Sequence, residues 1–214
     1  MKISYAITVC NEYRELRELL ETLLQYTLSE KREIVVLVDK PNSVSEIEKL
    51  AEEFTEKGII FQWDKFEQDF AVWKNKLNAL CTGDYIFQID ADEVPTSKLL
   101  RLLPPLLDLN PEIDLLGVPR ENRVQGITDE DIEKWNWVQD DEGRINWPDI
   151  QWRIYRNTRD IFWKGVVHEI PAGDIKKYGT LPAVCYLKHY KSIQKQRSQN
   201  KLYDQLQHNS SIGS

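Results

Sequence analysis

Asp90-Ala91-Asp92-Glu93 sets three carboxylates within four consecutive residues. Groups that close repel one another unless a proton or a cation resolves the repulsion. Oxygen-rich sets of this kind suit Mg2+ or Mn2+, and Mg2+ commonly joins one or two carboxylates to the phosphates of a substrate. An acidic turn capping the next helix would use the same residues for no chemistry, so position has to decide between the two. Here the carboxylates directly follow Tyr85-Ile86-Phe87-Gln88-Ile89, an apolar run that reads as a buried strand.

Five of the seven tryptophans, Trp135, Trp137, Trp147, Trp152 and Trp163, fall between residues 135 and 163. Large aromatics usually signify core. In a polar, aperiodic stretch they also offer flat faces on which the C–H faces of sugar rings stack. Cys10, Cys81 and Cys185 are far apart and form neither a CxxC nor a Cys/His cluster, so neither a disulfide framework nor a zinc site is indicated. Each lies in an apolar context and is expected to be a buried small hydrophobe.

The elements that must position these residues alternate regularly in the first half. Strands are predicted at 3–9, 34–38, 59–61 and 85–89, and helices at 12–26, 43–57 and 70–80. Residues 3–9 read as a strand and not as the apolar core of a signal peptide, with one basic residue before them and no small-x-small site after. Strand–helix alternation of this kind builds a parallel sheet, and such sheets bind ligands at the carboxyl ends of their strands. The second half is less periodic. A helix over 96–107 is expected to break at Pro104-Pro105, followed by a strand at 114–119. Residues 121–149, polar and rich in Trp and Asn, read as a long functional loop. Strands at 150–156, 161–167 and 181–188, a helix at 192–207 and a flexible tail at 209–214 complete the reading.

A chain of 214 residues with 41% hydrophobic and 29% charged residues fits one globular domain. No apolar stretch is long enough to span a membrane. The net charge of −7, from 28 basic and 35 acidic residues, disfavours nucleic acid as a main partner. Lys188, Lys191, Lys195, Arg197 and Lys201 are spaced as one solvated helix face, with peripheral contact to anionic lipid as a second reading. The expected compartment is the cytoplasm, with the cytoplasmic face of a membrane as the alternative.

From Asp69 to Glu93 the chain resembles the signature of family 2 glycosyltransferases. In that signature a helix carrying basic-Asn (here Lys74-Asn75) leads through Gly83-Asp84-Tyr85 to a strand ending in Asp-x-Asp. Thr8-Val9-Cys10-Asn11-Glu12 is similar to the end of the family's first strand, and Val36-Leu37-Val38-Asp39 to its second. The resemblance implies an α/β fold: a single Rossmann-like GT-A domain over 1–208, with a mostly parallel central sheet flanked by helices. Residues 1–93 would bind the nucleotide sugar, 94–190 the acceptor and the catalytic groups, and 191–208 would form the C-terminal helix. Thr8, Asn11, Glu12 and Asp39 would line the base and ribose pocket, where carboxylates accept hydrogen bonds from ribose hydroxyls or an imide N–H. Lys74 and Asn75 would lie near the diphosphate or ribose, Asp90 near ribose or the metal, and Asp92 on the metal itself. Where many relatives have Asp-Gly-Ser after the second strand, this chain has Asp39-Lys40-Pro41-Asn42.

Pro148 to Arg156, Val167-His168-Glu169 and Leu187-Lys188-His189-Tyr190 resemble a branch of the family associated with bacterial surface-glycan and lipopolysaccharide-core assembly. By that likeness Glu169 is the catalytic base, with Asp149 as second candidate, and His189 joins Asp92 and Asp90 at the metal. His168, Trp147, Trp152 and Arg153 are expected on the acceptor side. Imidazole with carboxylate favours Mn2+ over Mg2+. The implied reaction is inverting transfer from a UDP-, GDP- or dTDP-sugar to a glycan, lipid-linked saccharide or protein. Two rival readings stand beside it. Ile89 to Val94 also fits the Asp-x-Asp motif of haloacid dehalogenase phosphohydrolases, although there the motif follows the first strand and here it follows the fourth. The other rival is a non-catalytic nucleotide-sugar-binding domain.

Overall fold

Continuous β-branched and aromatic runs form the centre of a sheet in the computed structural model, which describes residues 1–212, with side chains through Gln207. The first half runs β1 (Ile3–Val9), α1 (Tyr13–Tyr26), β2 (Arg32–Asp39), α2 (Ser45–Thr55), β3 (Ile60–Asp64), α3 (Phe70–Asn78) and β4 (Tyr85–Asp90). These strands pair in parallel in the order β3-β2-β1-β4. Their registers set Val9 beside Val38 and Thr8 beside Asp90, so β1, β2 and β4 end along one edge.

The second half extends that sheet. It runs β5 (Glu93–Pro95), α4 (Ser97–Leu109), β6 (Leu115–Gln125), α5 (Asp129–Lys134), β7 (Ile145–Arg156), β8 (Ile161–Lys164), β9 (Ile170–Gly173), β10 (Tyr178–Thr180), β11 (Leu187–Ser192) and α6 (Ile193–Ile212). The complete order is β3-β2-β1-β4-β7-β6-β11-β5, with β10 on β6 and a separate β8–β9 hairpin. β7 is antiparallel to both β4 and β6.

Both faces of the central strands are covered. On one, Leu16, Leu20 and Leu23 of α1, Phe54 of α2 and Leu103 of α4 pack against Tyr5, Ile7, Val36 and Phe87. On the other, Trp73 and Leu77 of α3 and Trp163 of β8 pack against Ala6, Val35, Ile86 and Tyr155. The alternation of Tyr5 and Ile7 against Ala6 is the two-residue period of a strand sandwiched between layers. A Cβ at Gly83, in the turn before β4, would sit 2.7 Å from the Ser4 backbone nitrogen, so only glycine lets that turn close against β1.

Five expectations are corrected. The helix α4 is not broken at Pro104-Pro105; it runs to Leu109 because Leu99, Leu100, Leu103 and Leu107 form one buried stripe. Residues 121–149 are not one loop: β6 continues to Gln125, α5 follows, and β7 begins at Ile145. The strand expected over 161–167 ends at Lys164, and the one expected over 181–188 is displaced to β11 at Leu187–Ser192. Cys10 is part-exposed, unlike buried Cys81 and Cys185; all three are free thiols. The expected tail, 209–214, lies outside the residues whose side chains are described.

Candidate active site

The carboxyl ends of β1, β2 and β4 open into a cleft of about 1120 Å³. Thr8, Asn11, Glu12, Asp39, Lys74, Asp90, Asp92, Asp149, Trp152, Arg153, His168, Glu169 and His189 all line it. Two expected residues do not. The Asn75 amide accepts from the Trp163 N–H at 2.8 Å and donates to the Trp163 carbonyl at 2.9 Å, which clamps α3 to β8. Trp147 packs edge-on against Tyr186 and beneath Arg144 instead.

The Asp90-Ala91-Asp92-Glu93 group is divided by the strand it ends. Glu93 begins β5, is wholly buried, and is not open to the cleft. It takes Arg120 at 2.9 Å and Arg153 at 2.8 Å. Arg153 also reaches Asp90 Oδ2 at 2.5 Å, so this guanidinium, expected on the acceptor side, is committed to the carboxylates of the strand end. Burial alone would push the Asp90 carboxyl up; Arg153 and Lys74 outweigh it and hold the group well below the usual carboxylate range.

Lys74 is buried in α3 with its ammonium 4.4 Å from the centre of the Trp163 ring. Its Nζ lies 2.6 Å from Glu169 and 3.8 Å from Asp90, joining a residue of the β8–β9 connection to the end of β4. Asp149 is more heavily engaged. It accepts from Arg120 at 2.7 and 2.9 Å, from Asn122 at 2.8 Å and from Gln151 at 2.8 Å. Burial raises its carboxyl, but Arg120 and these donors bring it below its ordinary value.

At the opposite wall, Asp92 Oδ2 stands 3.5 Å from His189 Nε2 and 3.2 Å from Lys195 Nζ. The Asn122 amide nitrogen donates to Asp149, which turns Asn122 Oδ1 toward His189 Nδ1 at 2.7 Å. Nδ1 therefore carries the proton and donates, and Nε2 presents its lone pair to Asp92. Burial lowers the His189 pKa below that of a free imidazole despite the Asp92 carboxylate, which keeps the ring neutral at neutral pH.

Asp39, buried at the end of β2, accepts from the Phe66 N–H at 3.0 Å and from Asn42 at 2.8 Å. Asn42 belongs to the segment that replaces the family's usual Asp-Gly-Ser. The Glu12 carboxylate accepts from the backbone N–H groups of Cys10 and Asn11, both at 3.1 Å.

The family model described as "Glycosyl transferase family 2" matches residues 4–173. The chain belongs to glycosyl transferase family 2. No curated protein matches this glycosyltransferase sequence. Among solved structures it is similar to TarS of S. aureus, at 15% identity and a TM-score of 0.61, over 90% of this chain and 37% of that one. The TarS fragment 1–349 in complex with UDP is similar at 16% identity and a TM-score of 0.61, over 89% of this chain and 60% of that one. The same fragment in complex with UDP-GlcNAc is similar at 17% identity and a TM-score of 0.61, over 89% and 59%. This chain therefore spans 37–60% of the length of those chains, less than two thirds, and the shared feature is the GT-A fold. Family membership displaces the phosphohydrolase reading of the Asp-x-Asp motif.

Sequence reasoning missed several residues of the glycosyltransferase cleft. Arg120 and Asn122 lie where the strand pattern becomes polar, and Asn122 sits inside the supposed loop. Lys191 and Lys195 were read as part of a solvated face, yet both line the cleft. Arg197 is paired with Asp131 at 2.9 Å, so the basic patch is dispersed. Tyr203 of α6 packs edge-on against Phe70 and His168. Burial lowers the Lys191 ammonium to about 8 despite Asp92 nearby.

Proposed function

We propose that this enzyme transfers a sugar from a nucleoside diphosphate sugar to a hydroxyl group, with inversion at the anomeric carbon and with Mn2+ or Mg2+ bound. The observation that carries this reading is the meeting of Asp90 and Asp92, from the middle of the chain, with Glu169 and His189, from its last third, on one cleft. TarS was crystallised with UDP and with UDP-GlcNAc, which makes a uridine diphosphate sugar the first donor to test, ahead of GDP- and dTDP-sugars.

Asp92 and His189 fit a divalent cation. The Nε2 lone pair and a carboxylate oxygen, both acceptors, face each other at 3.5 Å, and such a pair is relieved by a positive charge between them. The Nδ1–H donated to Asn122 is the outer-shell contact that fixes the tautomer of a metal-binding imidazole. Among the described residues no group of three or more His, Cys, Asp or Glu side chains forms a ready cage. A carboxylate supplemented by water and phosphate oxygens matches the habits of Mg2+, and the imidazole beside it favours Mn2+. When bound, the cation neutralises charge developing on the departing diphosphate.

The remaining chemistry falls to the chain. Asp39 and Glu12 accept hydrogen bonds from the base or ribose, with Thr8 and Asn11 beside them. Glu169 takes the proton of the acceptor hydroxyl as its oxygen bonds to the anomeric carbon; the bond to the diphosphate breaks, and that group leaves with the electron pair. Lys74, 2.6 Å away, orients Glu169 before the acceptor arrives. Asp149 is the poorer base because Arg120, Asn122 and Gln151 already occupy its oxygens. One base and no covalent intermediate give inversion. Trp152 and His168 are the acceptor-side contacts, and a glycan, a lipid-linked saccharide or a protein side chain remains the acceptor class.

A panel of nucleotide sugars scored by thermal shift in Mn2+ tests the proposal. A donor at about 100 Kd stabilises by roughly 2.7 kcal/mol. Stabilisation by a uridine, guanosine or thymidine diphosphate sugar followed by transfer is the expected result. Binding without turnover on any acceptor supports the non-catalytic reading, and no stabilisation by any donor overturns both.

A further inference from the structure

Lys191 and Lys195 flank the junction of β11 and α6 and line the same cleft as Asp92 and His189. Different surroundings hold them. Lys195 Nζ lies 3.2 Å from Asp92, 3.7 Å from Glu12 and 3.8 Å from Glu15, inside a ring of carboxylates. Lys191 is half-buried and donates to Gln199 at 2.8 Å, and among the described residues no carboxylate lies within ion-pair distance of it. An ammonium withdrawn from water without a direct ion pair is costly, and Asp92 acts on this one only from beyond that distance. Arg120, on the adjacent strand β6, already holds Glu93 and Asp149, so those carboxylates are engaged elsewhere.

We propose that Lys191 and Lys195 bind the diphosphate of the donor, Lys191 as a standing phosphate ligand and Lys195 as a cation that leaves Asp92 when a divalent ion takes that carboxylate. The proposal rests on the nucleoside diphosphate sugar reading above. Lys195 and His189 border the same oxygen of Asp92, so a metal ion held there repels the ammonium. Phosphate oxygens arriving with the donor offer Lys195 its nearest new partner, and they give Lys191 the direct ion pair it lacks. Gln199, Tyr203 and Leu206 of α6 also line the cleft, so the donor is held from the C-terminal helix as well as from the sheet.

The test uses Lys191→Met and Lys195→Met, which keep the aliphatic stem and remove the charge. UDP and uridine are titrated into each variant with Mn2+ and, separately, with EDTA; GDP or TDP and the matching nucleoside replace them if the wild-type protein prefers those. Each variant is expected to bind the diphosphate about 10- to 100-fold more weakly, the loss of one charge-assisted hydrogen bond. Affinity for the bare nucleoside should be unchanged. In EDTA the wild-type protein should keep residual diphosphate affinity that the double variant lacks, and Lys195→Arg should restore binding in Mn2+. Lys188→Met and Lys201→Met, at exposed positions, serve as controls that leave both affinities unaltered. Should Lys191→Met fail to fold, Lys195→Met decides, since its side chain is 32% exposed. If the variants bind the diphosphate as the wild type does, the lysine assignment is overturned and the nucleotide reading stands. An equal loss of nucleoside and diphosphate affinity overturns it too, because the lysines would then only shape the cleft. A wild-type protein that binds none of the three diphosphates sinks both readings.

Discussion

Lys74 and Glu169 pair at 2.6 Å across the two halves of the candidate site, and the two residues carry different predictions from the histidine opposite. Glu169→Gln preserves shape but cannot take a proton. Nucleotide affinity should stay as it is, while kcat falls by about 10²–10⁴, the usual worth of a general base. Full turnover in that variant would move the base to Asp149, with Asp149→Asn as the next variant. His189→Ala should act on the ground state: titration should show a higher Mn2+ requirement and weaker nucleotide binding before any effect on kcat is considered. Asp92→Ala should abolish turnover yet melt near the wild-type temperature, because Lys195 keeps Glu12 and Glu15 as partners. A large drop in Tm would mark Asp92 as structural. At this scale the sequence was legible in residue type and less so in pairing. Adjacent carboxylates do need positive charge, but Arg153, Arg120, Lys74 and Lys195 supply much of it, and each comes from a different element.

The first-half elements were legible because β1, β2 and β4 are buried on both faces and the helices carry apolar stripes. The second-half strands that line the cleft were not. β6 passes from Leu115-Leu116 into Arg120-Glu121-Asn122-Arg123, and β7 includes Asn146, Asp149 and Gln151, so their periodicity dissolves where side chains must meet a polar ligand. Pro104 and Pro105 misled for the opposite reason. An interior proline costs a helix about 3 kcal/mol, but four buried leucines outweigh local preference. Two tests belong here. Asn75→Ala removes both bonds to the Trp163 backbone and should destabilise by about 1–3 kcal/mol, read from chemical denaturation, since it strands a part-buried N–H and C=O. Gly83→Ala drives a methyl into the Ser4 backbone and should lower Tm by a similar amount of free energy. Unchanged stability in either variant would remove that residue from the framework, and for Asn75 would return it to consideration as a ligand contact.

For the whole molecule, acid is the revealing variable. Burial pushes the Glu33 carboxyl up, but hydrogen bonds from Ser4, Thr82 and Lys2 bring it down to about 2, and Asp90, Asp92 and Asp149 are also depressed. A carboxyl depressed by folding adds stability that is fully present above its unfolded pKa and is lost as pH falls through the folded one. The urea midpoint should therefore hold near neutrality and decline as pH drops from about 4.5 toward 2. A midpoint that is flat across that range would mean these carboxylates are not held in ion pairs in solution.

The position of β5 carries a consequence for how the molecule comes together. Val94 has no sheet partner until Lys188 arrives alongside it, although the two are separated by most of the second half of the chain. Pairings that span so much sequence close late, because loop entropy must be met before the contact returns anything. Glu93, the buried carboxylate between two arginines, cannot find its final surroundings before that closure. Refolding should thus pass through a stage with β1, β2 and β4 already protected from amide exchange while Val94 still exchanges freely. Recovery of nucleotide binding should keep time with Val94.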